Sequence, residues 1–275
     1  MAEAIPEKID VILLTRNSLP YLMKYVDSIA TNVPVNRLIA VDKGSTDGTI
    51  EFLERKFPGL LKVIQDPGNR ATARQKGIEA VETRWHLHAD SDVMLCKGWF
   101  EKARSHISPR IGAIWGVTIP TEPHVWHRVW AMSKLARTDP IEYQVRQSRY
   151  YTHDTLVRTE AVRGIKIPSE MAVFEDQFIG SYIVKQGFRF LRVKEPWCYH
   201  DMRDPGKRID ESILGGYFLR RYGYASFRQV VRLTPEAIPK FLWVLAWTRD
   251  FDAARALLMN QTMQLKGWLL AGPSA

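Results

Sequence analysis

Short apolar runs recur along the first ninety residues, at 9–15 (Ile-Asp-Val-Ile-Leu-Leu-Thr), 38–41, 61–64 and 85–89. Runs of this length, rich in β-branched residues and leucine, predict buried parallel strands. Between them, 19–31, 49–56 and 71–83 show helical periodicity, the second following the turn-forming Gly44-Ser45-Thr46-Asp47-Gly48. Strand alternating with helix predicts a doubly wound βαβ half. In such open sheets, ligands settle beyond the carboxyl ends of the strands, where Thr15, Asp42 and Asp90 fall.

Beyond this half, 112–120 reads as another strand, 122–151 as an irregular aromatic and basic stretch, and 157–200 as a second strand and helix set with a helix at 180–187 and a strand at 188–193. From 210 to 272 the pattern turns helical, with breaks expected at Pro235 and Pro239. The fold class is therefore α/β: a doubly wound mixed sheet flanked by helices, with a C-terminal helical amphipathic extension. There is no internal repeat and no low-complexity tract.

Composition narrows the classes. With 275 residues, 45% apolar, the chain can build one large α/β domain or a domain with an appended lobe, which excludes disorder. Cys96 and Cys198 have no Cys-x-x-Cys partner, so neither a zinc ribbon nor a disulfide framework is suggested and a reducing cytoplasm is expected. The start, Met-Ala-Glu-Ala-Ile-Pro, lacks the basic and apolar features of a secretory signal. The apolar stretch 238–247 is interrupted by Pro239 and Lys240 and falls short of the roughly 20 residues needed to span a bilayer.

A formal charge of +9 favours an anionic partner: a nucleoside diphosphate, an anionic membrane or a nucleic acid. Residues 239–270 mix Phe241, Trp243, Trp247 and Trp268 with Lys240, Arg249, Arg255 and Lys266. Apolar side chains on one face and cations on the other describe a membrane-interfacial helix. They describe a core-packing helix pair equally well.

Three places carry candidate chemistry. Asp90-Ser91-Asp92 sets two carboxylates at a strand end where both can face one Mn²⁺ or Mg²⁺ ion, although a solvated turn has the same pattern. Glu175-Asp176 opens an apolar helical face; helix capping explains the pair, and so does a general base at Asp176. His200 is either structural or a third ligand for Mn²⁺ beside Asp92. His86 and His88 share the face leading to Asp90 and are expected to be packed and hydrogen-bonded rather than metal-bound.

Taken in order, Val-Ile-Leu-Leu-Thr-Arg-Asn (11–17), Val41-Asp42-Lys43-Gly44-Ser45-Thr46-Asp47-Gly48-Thr49, Asn69 through Ala73-Arg74-Gln75, Asp90-Ser91-Asp92 and Phe174-Glu175-Asp176 resemble the family 2 glycosyltransferases of GT-A fold, over roughly residues 8–200. The resemblance implies that Thr15 and Asn17 line a nucleotide pocket, Asp42 contacts the base, Arg74 lies near the donor and Asp90 holds the ribose or metal. It implies that Asp92 and His200 hold the ion and that Asp176 is the base. Two departures stand out: Lys43 replaces the usual second acid, and the Gln-x-x-Arg-Trp motif of processive members has only a loose counterpart in Arg220-Arg221-Tyr222. One of Arg220 and Arg221 is expected to face the donor pyrophosphate, against the alternative of a solvated basic helix face.

The resemblance divides the chain into a catalytic domain at 1–205 (a nucleotide-binding half at 1–95, an acceptor-binding half at 96–205) and a helical segment at 206–275. It implies metal-dependent transfer, with inversion, from a nucleoside-diphosphate sugar to a hydroxyl on a glycan. If the interfacial reading of 239–270 holds, the acceptor is lipid-linked and the protein works at the cytoplasmic face of a membrane. Two alternatives stay in view: a nucleotidyltransferase, and a basic module binding nucleic acid or anionic lipid. The binding module has no reason to place two acidic clusters and a Gly-Ser-Thr-Asp-Gly turn at strand ends, so no nucleic-acid partner is expected.

Overall fold

The computed structural model describes residues 6–147, 149–201 and 209–272. Residues 1–5, read above for a targeting signal, and the domain boundary expected at 205/206 lie outside the described residues. In chain order the elements are β1 (Ile9–Thr15), α1 (Leu19–Asn32), β2 (Val35–Asp42), α2 (Thr49–Lys56), β3 (Leu61–Gln65), α3 (Arg70–Glu79), β4 (Trp85–Asp90), β5 (Val93–Leu95), α4 (Trp99–Arg104) and β6 (Ile111–Pro120). They continue with α5 (Pro123–Leu135), α6 (Pro140–Val145), β7 (Asp154–Arg158), α7 (Glu175–Lys185), β8 (Arg189–His200), α8 (Ile209–Arg221), α9 (Phe227–Thr248) and α10 (Phe251–Leu270). They fall into two compact units, Met1–Ile119 with Val145–His200 and Pro120–Gln144 with Asp201–Ala275.

The first unit is built on an eight-stranded mixed sheet in the order β3-β2-β1-β4-β7-β6-β8-β5. β1 runs parallel to β2 and β4, and β2 parallel to β3, while β7 pairs antiparallel with β4 and β6, and β5 antiparallel with β8. β1, β2 and β4 are buried on both faces, with Val11, Ile12, Leu13, Leu38, Ile39 and Leu87 all fully inaccessible, which is why their sequences are continuous apolar runs. β3, at the edge, is largely open, and its run carries Lys62.

Asp10 interrupts the β1 run and is fully buried, so its carboxylate needs partners. It accepts hydrogen bonds from Asn36 Nδ2 at 2.8 Å and the Glu82 amide at 2.8 Å, and pairs with Arg37 at 3.2 Å. Burial pushes this carboxyl up, but the Arg37, Glu82 and Asn36 hydrogen bonds outweigh it and the net shift is downward. α3 packs close on β1 because Gly77 has no side chain; a Cβ there would stand 2.6 Å from Ile12 Cγ2.

The structure departs from the periodicity in several places. α3 ends at Glu79 rather than 83, because the chain turns at Ala80 to bring Glu82 and Thr83 onto Asp10. The stretch 122–151 contains α5 and α6; α5 opens with Pro at its start, but its buried positions Val125, Ala131 and Ser133 form no apolar stripe that could announce it. α7 begins at Glu175 rather than 180, and β8 runs on to His200. The helical extension is not broken at its prolines: α9 passes through Pro235 and Pro239, with the breaks at 222–226 and 249–250 instead. Both prolines are exposed, so water can satisfy the carbonyls four residues upstream that they leave without an amide partner.

In the second unit, α9 packs through Val244 against Ala131, Ala253 and Ala254, and Trp243 Nε1 donates to the Ala131 carbonyl at 2.8 Å. α8 and α10 meet backbone to backbone. A Cβ on Gly216 would lie 1.9 Å from the Gln264 carbonyl oxygen, and one on Gly267 would lie 1.8 Å from that of Ile213. Gly267→Ala is expected to force the helices apart and cost about 1–3 kcal/mol, read as a lowered Tm in thermal unfolding. Among the described residues, no helix is long and apolar enough to cross a membrane.

Candidate active site

The parallel half of the sheet delivers its strand ends to one edge. Thr15, the last residue of β1, pairs in register with Asp42, the last of β2, and its hydroxyl donates to Asp42 Oδ1 at 2.8 Å. Asp42 also accepts from the Ser45 amide at 2.8 Å and the Gln65 amide group at 3.4 Å. Burial pushes the Asp42 carboxyl up, yet the hydrogen bonds from Ser45, Thr15 and Gln65 hold it below the usual carboxylate range. Asn17, in the left-handed region at φ 46°, locks the loop after β1 to the loop after β2: its amide donates to Ser45 Oγ at 2.8 Å and its Oδ1 accepts from the Thr46 amide at 2.9 Å. Lys43 donates through Nζ to the Gly68 carbonyl.

Arg74 projects from the buried face of α3, which starts behind a capping box formed by Asn69 and Thr72. Only 2% exposed, it makes a short ion pair with Asp90 through Nη2 and donates through Nη1 to His88 Nδ1 at 3.3 Å. Guanidinium can only donate, so His88 Nδ1 must accept there. Burial, with Arg74 and His86 nearby, pushes His88 well below its ordinary value, so the ring is neutral and carries its proton on Nε2. That proton points at His86 Nε2, 3.2 Å away. Burial lowers His86 to about 3, so it is neutral too and donates from Nδ1 to Thr159 Oγ1 at 2.9 Å, which donates in turn to the Thr83 carbonyl at 2.7 Å. Every tautomer in this chain is fixed by the arginine at its head. The two histidines are packed and hydrogen-bonded in the core, fully buried. His88→Leu is expected to strand a buried guanidinium N–H at a cost of about 1–3 kcal/mol, measurable by denaturant unfolding.

Asp90, Asp92 and His200 converge: one ligand atom from each lies within 4.8 Å of the others. β5 places them, since Val93 pairs directly with His200 on β8, and His200 Nε2 stands 3.4 Å from Asp92 Oδ1. Burial pushes the Asp90 carboxyl up, but Arg74, His153 and His200 together bring it below its usual value. The donor set of two carboxylates and one imidazole suits Mn²⁺, and suits Mg²⁺ less well through its nitrogen. Asp90 and Asp92 keep 33% and 18% of their side-chain surface open, leaving room for water and phosphate oxygens to complete a coordination shell. A second trio, His153, Asp154 and Cys198, is as tight but sealed in the core. There burial pushes both the Asp154 carboxyl and the Cys198 thiol well up, keeping them protonated and poor ligands.

His153 gave no sequence signal. Its carbonyl accepts from the Asp90 amide at 3.1 Å, its ring packs on that of His200 with centroids 4.7 Å apart, and its Nε2 is bonded to Thr118 Oγ1 at 2.6 Å. It thus buttresses both sides of the trio.

Asp176 and Glu175 open α7 behind Phe174, which adopts the left-handed conformation at φ 70°. The Asp176 carboxylate is 3.4 Å from Arg149 Nη2, and that guanidinium stacks on the Phe174 ring at 4.4 Å and faces the Tyr151 ring at 5.3 Å. Glu175 is buried; burial and the neighbouring Asp176 raise its carboxyl to about 7, against the pull of Arg70 and Arg74. Arg149 was also missed, because it falls in the stretch read as irregular. Arg220 and Arg221 lie on α8, in the second unit, where Arg220 donates to the Trp268 carbonyl at 3.1 Å and stacks on its ring at 4.1 Å.

In structural comparison the chain is similar to a mannosyltransferase of Pyrobaculum calidifontis, PcManGT, solved in complex with GDP-Man and Mn²⁺, with a TM-score of 0.67 and 15% identity over 96% of this chain and 86% of that one. It is similar to residues 1–349 of S. aureus TarS in complex with UDP-GlcNAc, with a TM-score of 0.56 and 18% identity over 97% of this chain and 92% of that one. These likenesses establish the GT-A fold. No curated protein sequence matches. The family profile described as glycosyl transferase family 2 matches residues 10–171, which spans β1 to the loop before α7 and takes in Thr15, Asp42, Arg74, Asp90 and Asp92. The chain therefore belongs to glycosyl transferase family 2 and is a glycosyltransferase.

Proposed function

We propose that the protein transfers a sugar from a nucleoside-diphosphate sugar to an acceptor hydroxyl on a glycan or lipid-linked glycan, with a divalent ion and with inversion at the anomeric carbon. The observation that supports this reading above all is the convergence of Asp90, Asp92 and His200 at the strand edge where Thr15 and Asp42 also end. That the similar PcManGT was solved with GDP-Man and Mn²⁺, and TarS with UDP-GlcNAc, agrees with it.

In this reading Thr15, Asn17 and Asp42 form the nucleotide end of the site, Asp42 accepting a hydrogen bond from the base. Asp90, Asp92 and His200 hold Mn²⁺ or Mg²⁺, which when bound offsets the charge of the departing diphosphate. Arg74 keeps Asp90 ionised and aimed. Asp176 accepts the proton of the acceptor hydroxyl as that oxygen bonds to the anomeric carbon and the carbon–phosphate oxygen bond breaks. Arg149 holds the Asp176 carboxylate from one side at 3.4 Å, and Glu175, raised to about 7 and so protonated below that pH, spares the site a second negative charge.

The test is release of nucleoside diphosphate from a panel of nucleotide sugars. Turnover is expected with Mn²⁺, lost with EDTA and restored by excess Mn²⁺. Turnover indifferent to EDTA would remove the ion from the mechanism, and release of pyrophosphate would point to nucleotidyl transfer instead.

A further inference from the structure

The second unit carries a surface that water-soluble helices do not normally present. Of the twelve large apolar side chains exposed among the described residues, nine lie in this smaller unit. Five residues of α9, Pro235, Ile238, Pro239, Leu242 and Ala246, recur at helical spacing on one side and are all exposed. Ile238 is 61% exposed and Leu242 57%. The opposite side of the helix is already used, through Ala237 and Val244, to pack the unit together. α9 therefore carries two apolar faces over this span, with Glu236 and Lys240 between them, and only one of the two is covered by the protein. Exposed apolar surface continues beside the stripe at Trp247, 48% exposed near the end of the helix, and at Phe251, 59% exposed at the start of α10.

We infer that this stripe docks the protein, lying flat, on an anionic membrane surface. The helix cannot span, so an apolar face of this kind is satisfied by burial to headgroup depth, where a Trp at the end of the stripe is also favoured. Charge selects the partner. Residues 227–272 hold six Lys and Arg against three Asp and Glu, and the whole chain carries +9, so an anionic bilayer attracts the segment while a second copy of the chain repels it. The three acids are engaged within the unit: Glu236 with Lys240 at 2.7 Å, Asp250 with His127 at 2.8 Å, and Asp252 with Arg255 at 3.5 Å. The surface stands on this unit alone and does not depend on the reaction proposed above.

Flotation of the full chain with phosphatidylcholine vesicles, with and without phosphatidylglycerol, tests it. The protein is expected to float with the anionic vesicles, and Ile238→Glu/Leu242→Glu to lower the bound fraction about tenfold or more with an unchanged melting curve. Should the double variant melt lower, Ile238→Gln replaces it, and a several-fold weaker binding is still expected. Wild-type protein that stays with neither vesicle, or a folded variant that floats as well as wild type, overturns the inference. So does a wild-type dimer, in light scattering, that the double variant dissolves, because the stripe would then join two copies.

Discussion

Asp176→Asn is expected to lower kcat by about 100- to 10,000-fold, the usual contribution of a positioned general base, while leaving the Kd for the nucleotide-sugar donor nearly unchanged. Amide for carboxylate keeps the size of the side chain and its place at the start of α7, so the substitution removes the basicity together with the charge facing Arg149. Equal losses in kcat and donor affinity would instead make Asp176 a donor-binding group. The acidic pair also sets the pH response. Glu175 is raised from 4.5 to about 7, so between those values the folded chain holds a proton that the unfolded chain has lost. Its contribution to stability is therefore fully present at acid pH and falls away as pH rises toward about 7. Glu175→Gln, which has no proton to lose, should flatten that dependence when denaturant unfolding is compared at pH 5 and pH 7.

Asp90→Ala is expected to damage the enzyme twice over. The Arg74 guanidinium, 2% exposed, would lose the carboxylate it pairs with, and breaking a buried pair from one side costs about 3–5 kcal/mol. The lower end of that range applies, since Asp90 keeps 33% of its surface open. The same change removes one of three ligands, so activity should vanish and excess Mn²⁺ should not restore it. Thermal unfolding reads the first effect and donor turnover the second. Asp92→Ala, by contrast, removes the carboxylate facing His200 rather than one facing Arg74 and should lose activity with little change in Tm.

The first half of the fold was legible because strands buried on both faces have no choice but to be apolar: β1, β2 and β4 stand where the runs at 9–15, 38–41 and 85–89 put them. Thr15, Asp42 and Asp90 follow from that placement, being the last residues of those strands. The trio of Asp90, Asp92 and His200 was reachable only through the motif order, since the antiparallel pairing of β5 with β8 spans about a hundred residues and no local pattern encodes it. His153 and Arg149 had no such signal. Each acts through contacts with neighbours distant in sequence, such as the His200 ring or the Asp176 carboxylate, and a residue defined by tertiary contacts looks in sequence like any other polar position. α9 misled because a proline does not always end a helix: where water reaches the freed carbonyl the helix can run through it, and exposure cannot be read from the prolines themselves.

The hydrogen-bonded file from Arg74 through His88 and His86 to Thr159 terminates on the Thr83 carbonyl, an atom that neither takes up nor releases a proton near neutrality. It is a rivet, not a conduit. With His86 lowered to about 3 and His88 depressed as well, nothing along it changes charge while the carboxylates above it titrate. The arginine end of the catalytic edge is thereby insulated from acidity.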